Sequence, residues 1–197
     1  MKRERWNEKY DGAELLWSEG PNRFLVAEAA ALPPGRALDL ACGEGRNAIW
    51  LAELGWAVTG VDFADVALAK AKTRAAARGV RVDLVHADLV DWVPPAAAFD
   101  LVLVLYLQLP AGELRSVLGG AAAAVAPGGT FLLVGHDLLN LTEGHGGPSE
   151  PGVLYTAADV VAGLAGLEIE KAERVLRPVE GAERPAIDVL VRATRPR

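Results

Sequence analysis

Three carboxylates stand at matching places along this chain. Asp39, Asp62 and Asp88 each sit in, or just past, a short apolar run that reads as a strand. The first is followed by Asp39-Leu-Ala-Cys-Gly43-Glu-Gly45-Arg-Asn47, where a strand hands over to a helix. Glycines there let the backbone turn tightly and approach a ligand closely, and a helix start offers free N–H groups. Asp62 ends Thr59-Gly60-Val61-Asp62, 17 residues after Gly45. A carboxylate at that place accepts hydrogen bonds from both hydroxyls of a ribose. Asp88, in His86-Ala87-Asp88, is placed to accept from an adenine amine, with Leu89 as its apolar neighbour. Ala41, Asn47, Phe63 and Leu105 complete the expected wall of a nucleoside site.

Gly43-x-Gly45-x-x-Ala48 alone fits a dinucleotide as well as a sulfonium nucleoside. Charge separates the two. Asp39, just before the loop, would repel a pyrophosphate and attract the ammonium and sulfonium of S-adenosylmethionine. Two unit charges at ~4 Å interact by roughly 1 kcal/mol in water and ~4 kcal/mol near a protein surface. The sign favours the cationic ligand.

The acceptor side is expected beyond the fourth and fifth strands. His136 and Tyr106 are the candidate catalytic residues there, with Gln108, Asp137 and His145 nearby. Tyr10 and Trp17 are expected to help close the site, and Trp6 to pack the N-terminal arm. His86, His136 with Asp137, and His145 lack zinc-like spacing, so no metal is expected. Cys42 reads as a small buried residue, not a nucleophile.

These residues need a frame. Apolar runs at Ala37–Cys42, Ala57–Val61, Arg81–His86, Phe99–Leu107 and Thr130–His136 read as strands, alternating with helices at Pro21–Leu32, Arg46–Leu54, Ala64–Arg78, Ala111–Val125 and Thr156–Leu164. Asp137–Val153 reads as loop. Leu167–Pro178 and Ala186–Thr194 lack a helix-length spacer and should form an antiparallel hairpin. The pattern predicts an α/β, doubly wound, Rossmann-like sheet of seven strands, mostly parallel, with helices on both faces. Residues 1–20 read as an arm or lid over the cofactor site and 21–197 as the main domain.

Composition sets limits. Half of the 197 residues are apolar and the net charge is −6. An acidic chain makes a poor phosphate binder, so no nucleic-acid partner is expected. The single cysteine fits a reducing compartment. The N-terminus leads into no apolar stretch, so cytoplasmic placement is expected. Ser116–His136 carries no charged Asp, Glu, Lys or Arg, but Gly119-Gly120 and Pro127-Gly-Gly129 break it. No membrane association is expected.

Together these features resemble the class I S-adenosylmethionine-dependent methyltransferases. Asp39, Ala41, Gly43 and Gly45 match the family's acidic-x-Gly-x-Gly-x-Gly loop, with Ala41 in place of the first glycine. Asp62 matches the ribose acid and Asp88 the acid beside adenine. Phe99-Asp-Leu-Val102 and Pro127-Gly-Gly-Thr130 match the fourth-strand motif and the turn before the fifth. The N-terminal Trp6-Asn-x-x-Tyr10 and the loop itself resemble small bacterial tellurite-resistance and thiopurine methyltransferases. The resemblance implies S-adenosyl-L-methionine as cofactor and S-adenosyl-L-homocysteine as product. It implies in-line methyl transfer to a sulfur, selenium, tellurium, nitrogen or oxygen of a small molecule, by a monomer or homodimer. The competing readings are an NAD(P)-dependent oxidoreductase and a non-catalytic S-adenosylmethionine-binding protein.

Overall fold

The structure, a computed structural model, describes residues 3–12 and 14–197. Positions 1, 2 and 13 of the expected arm lie outside the described residues. At the centre of the fold is β4 (Phe99–Leu105), where Leu101, Val102, Leu103 and Val104 are fully buried. An apolar run without polar alternation needs cover on both faces. Leu101, Leu103 and Leu105 pack toward Leu25 and Ala29 of α2 (Arg23–Ala29) and Ala48 and Leu51 of α3 (Arg46–Glu53). Val102 and Val104 pack on the other face toward Leu114, Leu118 and Ala122 of α5 (Ala111–Ala124). The two-residue period of the strand thus sorts one run of side chains into two cores.

The sheet adds β1 (Arg36–Leu40), β2 (Ala57–Asp62), β3 (Val82–His86), β5 (Val125–His136), β6 (Glu168–Arg177) and β7 (Ala186–Thr194). Their order is β3-β2-β1-β4-β5-β7-β6. Strands β1 to β5 pair in parallel, and β7 runs antiparallel to both β5 and β6. The predicted sheet and its terminal hairpin are both present. The order reverses between β1 and β4, which opens a crevice at their carboxyl ends. Edge strand β6 is exposed over most of its length and carries Glu168, Glu170, Lys171, Glu173 and Arg174, charges that discourage strand addition.

Several boundaries differ from expectation. Asn22 caps α2, its Oδ1 accepting from Phe24 and Leu25 N–H, so the helix starts after Pro21 and stops before Leu32. Strand β5 begins at Val125, directly after α5. The Pro127-Gly-Gly turn is absorbed as a register shift, Phe99 facing Val125 and Leu101 facing Thr130. The Ser116–His136 stretch divides into the end of α5 and all of β5. No helix among the described residues is long and apolar enough to cross a membrane. The 137–153 segment is more ordered than a plain loop. It holds α6 (Asn140–Glu143), a 3-10 turn at Pro151–Val153 and a bridge from Asp137 to Tyr155. The last helix, α7 (Ala157–Val161), is shorter than predicted, with Thr156 and Asp159 forming its capping box. The 3–10 segment forms a helix, α1 (Arg3–Tyr10), and α4 spans Asp65–Ala77.

Ala41 ends β1 with φ +61°. That left-handed conformation costs a residue with a Cβ about 1–2 kcal/mol, which glycine avoids. Ala41→Gly is therefore expected to raise unfolding stability by about 1 kcal/mol, read as a higher urea midpoint. A lower midpoint would mean that packing of the Ala41 methyl outweighs the strain.

Candidate active site

The carboxyl ends of the parallel strands open on a cavity of about 800 Å3. Tyr10, Trp17, Ala41, Gly43, Asn47, Asp62, Phe63, Asp88, Leu89, Leu105, Tyr106 and His136 all line it. Of the expected site residues, Asp39 and Gly45 do not.

Asp62 organises the β1 side. One carboxylate oxygen accepts the Gly43 N–H at 2.8 Å and the other accepts the Ala64 N–H at 2.9 Å. Burial pushes this carboxyl up, and those N–H groups pull it back toward the charged form. Gly45, with φ +76°, donates its N–H to Cys42 C=O at 2.9 Å. A Cβ on Gly45 would meet the Ala71 methyl at 2.9 Å, so this glycine serves the packing of α4 on the loop. Asn47 faces the cavity, and its Oδ1 also accepts the Asn22 N–H. Asp88 is exposed at the cavity edge and holds its own turn by accepting from Val90 N–H. Cys42 is buried, and burial pushes its thiol well up, as an inert packing residue requires.

Asp39 lies beneath the loop, 1% exposed, and neither oxygen has a hydrogen-bonding partner. Burial, then the neighbouring Asp62, pushes its carboxyl up to about 7; Arg46 and the Ala48 N–H favour the charge without closing a hydrogen bond. The expected repulsion of a pyrophosphate by Asp39 is therefore weaker than a full surface charge would give.

The N-terminal segment crosses over this loop. Glu44 accepts from Leu16 N–H and pairs with Lys70, whose ammonium also donates to the Gly12 and Glu14 carbonyls. Arg74 donates to the carbonyls of Glu44 and Glu19, and Arg46 donates to Ser18. Helix-dipole arguments alone explain cations late in α4; the structure gives Lys70 and Arg74 this second task. Tyr10 stacks on Trp6, receives a hydrogen bond from the Trp17 indole and sits with its hydroxyl over Gly43.

Across the cavity, Tyr106 follows β4 with φ +58°, a strained conformation for an aromatic residue. Its hydroxyl donates to Asp188 at 2.7 Å and accepts from Arg177 Nε at 3.1 Å. Burial, then the Asp188 charge, pushes that hydroxyl well up, so it stays protonated. His136 and Asp188 face each other in register on β5 and β7. Nδ1 of His136 lies 3.2 Å from the second Asp188 oxygen, off the axis of a straight hydrogen bond. Burial pushes the Asp188 carboxyl up, but His136, Arg177 and Tyr106 outweigh it and hold it low. His145, Gly146, Gly147 and Pro148 also line this half, pinned where Asn140 donates to the Gly146 carbonyl. Sequence reasoning found His136 and Tyr106 but missed Asp188, Arg177 and Arg46. The available signal was Asp188 itself, a lone acid in the apolar run Ala186–Val191, since a buried charge demands partners. Among the described residues no group of His, Cys, Asp and Glu gathers as metal ligands would.

Residues 37–129 match the family model described as a methyltransferase domain. Over that stretch, just under half of its length, the chain resembles the class I S-adenosylmethionine-dependent methyltransferases. It is 36% identical over 125 residues to a demethylmenaquinone methyltransferase of Thermus thermophilus, covering 62% of this chain and 55% of that one. The chain thus spans about half the length of the curated relatives it matches. A structure described under conversion of a disulfide bond into a thioacetal group during echinomycin biosynthesis shares 27% identity, with TM-score 0.76, covering 96% of this chain and 88% of that chain. TehB from Haemophilus influenzae shares the fold, with TM-score 0.72, 17% identity and coverage of 98% and 66%.

In this chain the raised Asp39 carboxyl makes stability fall with pH. Between its ordinary value near 3.8 and about 7, the folded chain holds a proton that the unfolded chain releases. Asp39→Asn lacks this slope. Chemical denaturation should show the variant gaining on the parent from pH 5 to pH 8, by ~1 kcal/mol or more. A difference that does not change with pH would contradict the placement of Asp39.

Proposed function

We propose that the chain binds S-adenosylmethionine over β1, β2 and β3 and transfers its methyl group to a small molecule held over β4, β5 and β6. One observation carries this reading over a dinucleotide. The N–H groups of both loop glycines are already used, Gly43 on Asp62 and Gly45 on Cys42, so those two are not offered to a pyrophosphate. What the loop presents instead is carboxylate. Each Asp62 oxygen accepts one backbone N–H and retains capacity for another donor, as two ribose hydroxyls require. Asp39, buried with unpartnered oxygens, suits a cation above it. Phe63, Leu89 and Leu105 offer apolar wall for the adenine and the thioether.

When bound, S-adenosylmethionine supplies an electrophilic methyl and a neutral thioether leaving group. The protein's task is alignment and exclusion of water. Residues 1–20 serve as the lid, with Tyr10 and Trp17 closing over the loop, and 21–197 form the catalytic domain. His136, held by Asp188 at Nδ1, accepts the acceptor's proton at Nε2 as the new bond to carbon forms. Tyr106, protonated and bonded to Asp188, positions that pair and does not act as a base. A non-catalytic binder would have no need of this second cluster.

Asp62→Ala should weaken S-adenosylhomocysteine binding by roughly 1–3 kcal/mol in isothermal titration. Unchanged affinity would mean the ribose lies elsewhere. With a phenol or amine acceptor, His136→Gln should lower kcat by about 10²–10⁴-fold while product affinity stays within about twofold. An unaltered kcat would remove His136 from the chemistry.

A further inference from the structure

The cavity is divided electrically. Its lining acids, Glu44, Asp62 and Asp88, all follow β1, β2 and β3, and the residues lining the half over β4 to β6 include none. Cations line both halves, Lys9, Arg23, Arg46, Arg74 and Arg177 among them, and two of these guanidinium groups bear on the half without acids. Arg177, at the end of β6, uses its Nε on Asp188 and Tyr106. Its terminal nitrogens have no hydrogen-bonding partner among the described residues. Arg46, in the first turn of α3, is half-buried and donates only to Ser18 Oγ, with no carboxylate within ion-pair distance among the described residues. Burial pulls its guanidinium below the usual range, and the Arg177 charge acts in the same direction, which sets the two in one field. Both line the cavity, and Arg177 lies over the Tyr106 ring.

Of these two guanidinium groups only Arg177 pairs with a carboxylate, Asp188; the buried Asp39 acts on Arg46 through space without an ion pair. A half-buried guanidinium with idle donors is costly unless an anion arrives. Leu105, Leu107, Leu109 and Tyr106 line the same cavity and give it an apolar, aromatic wall. The site therefore suits a flat or apolar body with one anionic end.

We propose that the methyl acceptor is a small carboxylic acid whose carboxylate seats on Arg177 and Arg46, leaving its nucleophilic hydroxyl, thiol or amine facing His136. This rests on the methyltransferase reading. The transfer forms a bond between the nucleophile and the methyl carbon and breaks the carbon–sulfur bond. The electron pair stays on sulfur, and the nucleophile's proton passes to His136. The carboxylate itself is unchanged.

The test compares benzoate with the uncharged benzamide, which has the same shape, by titration into protein saturated with S-adenosylhomocysteine. The product then fills its own carboxylate site, so only the acceptor side is read. Benzoate should bind about tenfold or more tightly than benzamide, the worth of charge-assisted hydrogen bonds. Arg177→Met and Arg46→Met should each cut that preference to about threefold or less, and Arg177→Lys should retain part of it. Thermal midpoints check that the variants fold. Equal binding of the two probes, no binding of either up to about 10 mM, or a preference that survives both arginine variants would overturn the proposal. If the arginines instead serve the cofactor's carboxylate, their loss weakens S-adenosylhomocysteine and the parent shows no acid preference, which also overturns it. Should S-adenosylhomocysteine fail to bind at all, the methyltransferase reading fails. The same comparison on the protein alone then decides the anion site by the same criterion.

Discussion

The site is organised by one carboxylate caught between two backbone N–H groups. Asp62 takes Gly43 N–H with one oxygen and Ala64 N–H with the other. Because Asp62 ends β2 and Gly43 follows β1, the first of these bonds ties two parallel strands together at the rim of the cavity, while the second holds the turn after β2. It also reverses the chemistry that glycine-rich loops offer elsewhere. A loop with free N–H groups attracts anions; in this one both glycine N–H groups are occupied, and the Asp62 carboxylate faces the cavity. Loss of the Asp62 side chain would free Gly43 N–H and remove the proposed ribose acceptor in one step.

The remaining structure extends that division. The N-terminal segment is tied down on the loop side by Glu44, Lys70 and Arg74: Glu44 and Lys70 form an ion pair, and Arg74 donates to backbone carbonyls. On the far side the balance is different. Asp188 is shared by His136, Tyr106 and Arg177, and Arg46 adds a charge with no carboxylate at ion-pair distance among the described residues. The acids of the cavity wall keep to the β1-to-β3 half, while cations line both halves, and Tyr106 takes a strained backbone conformation. Strain of this kind persists where the surroundings over-determine a residue. Here the Val134 carbonyl accepts its N–H and Asp188 its hydroxyl.

Most of the frame was legible because strand and helix periods differ and glycines mark the ends. The unbroken apolar run at Phe99–Leu105 identified a central strand. The short gap between the last two runs identified the hairpin. Contiguous motifs also gave the β1-to-β3 half, since Asp62 and Asp88 stand at strand ends. What the sequence concealed was pairing across distance. Nothing local links Asp188 to His136; only strand register puts them opposite. Nor does Arg46, inside a recognisable loop motif, reveal that its charge has no carboxylate partner. The role of Asp39 shifted for a related reason. Its position was read correctly as just before the loop, but only burial shows that its carboxyl is pushed up to about 7 and lies below the cavity wall. Boundaries moved where caps and bulges act, at Asn22 and at Pro127-Gly-Gly129.

A crystal structure of the chain with S-adenosylhomocysteine tests the central claim most directly. The account places both ribose hydroxyls on the Asp62 carboxylate, with the bonds to Gly43 and Ala64 kept and the adenine beside Asp88 and Leu89. Density for the nucleoside away from Asp62, or a ribose bound only after the Gly43 bond breaks, would contradict it.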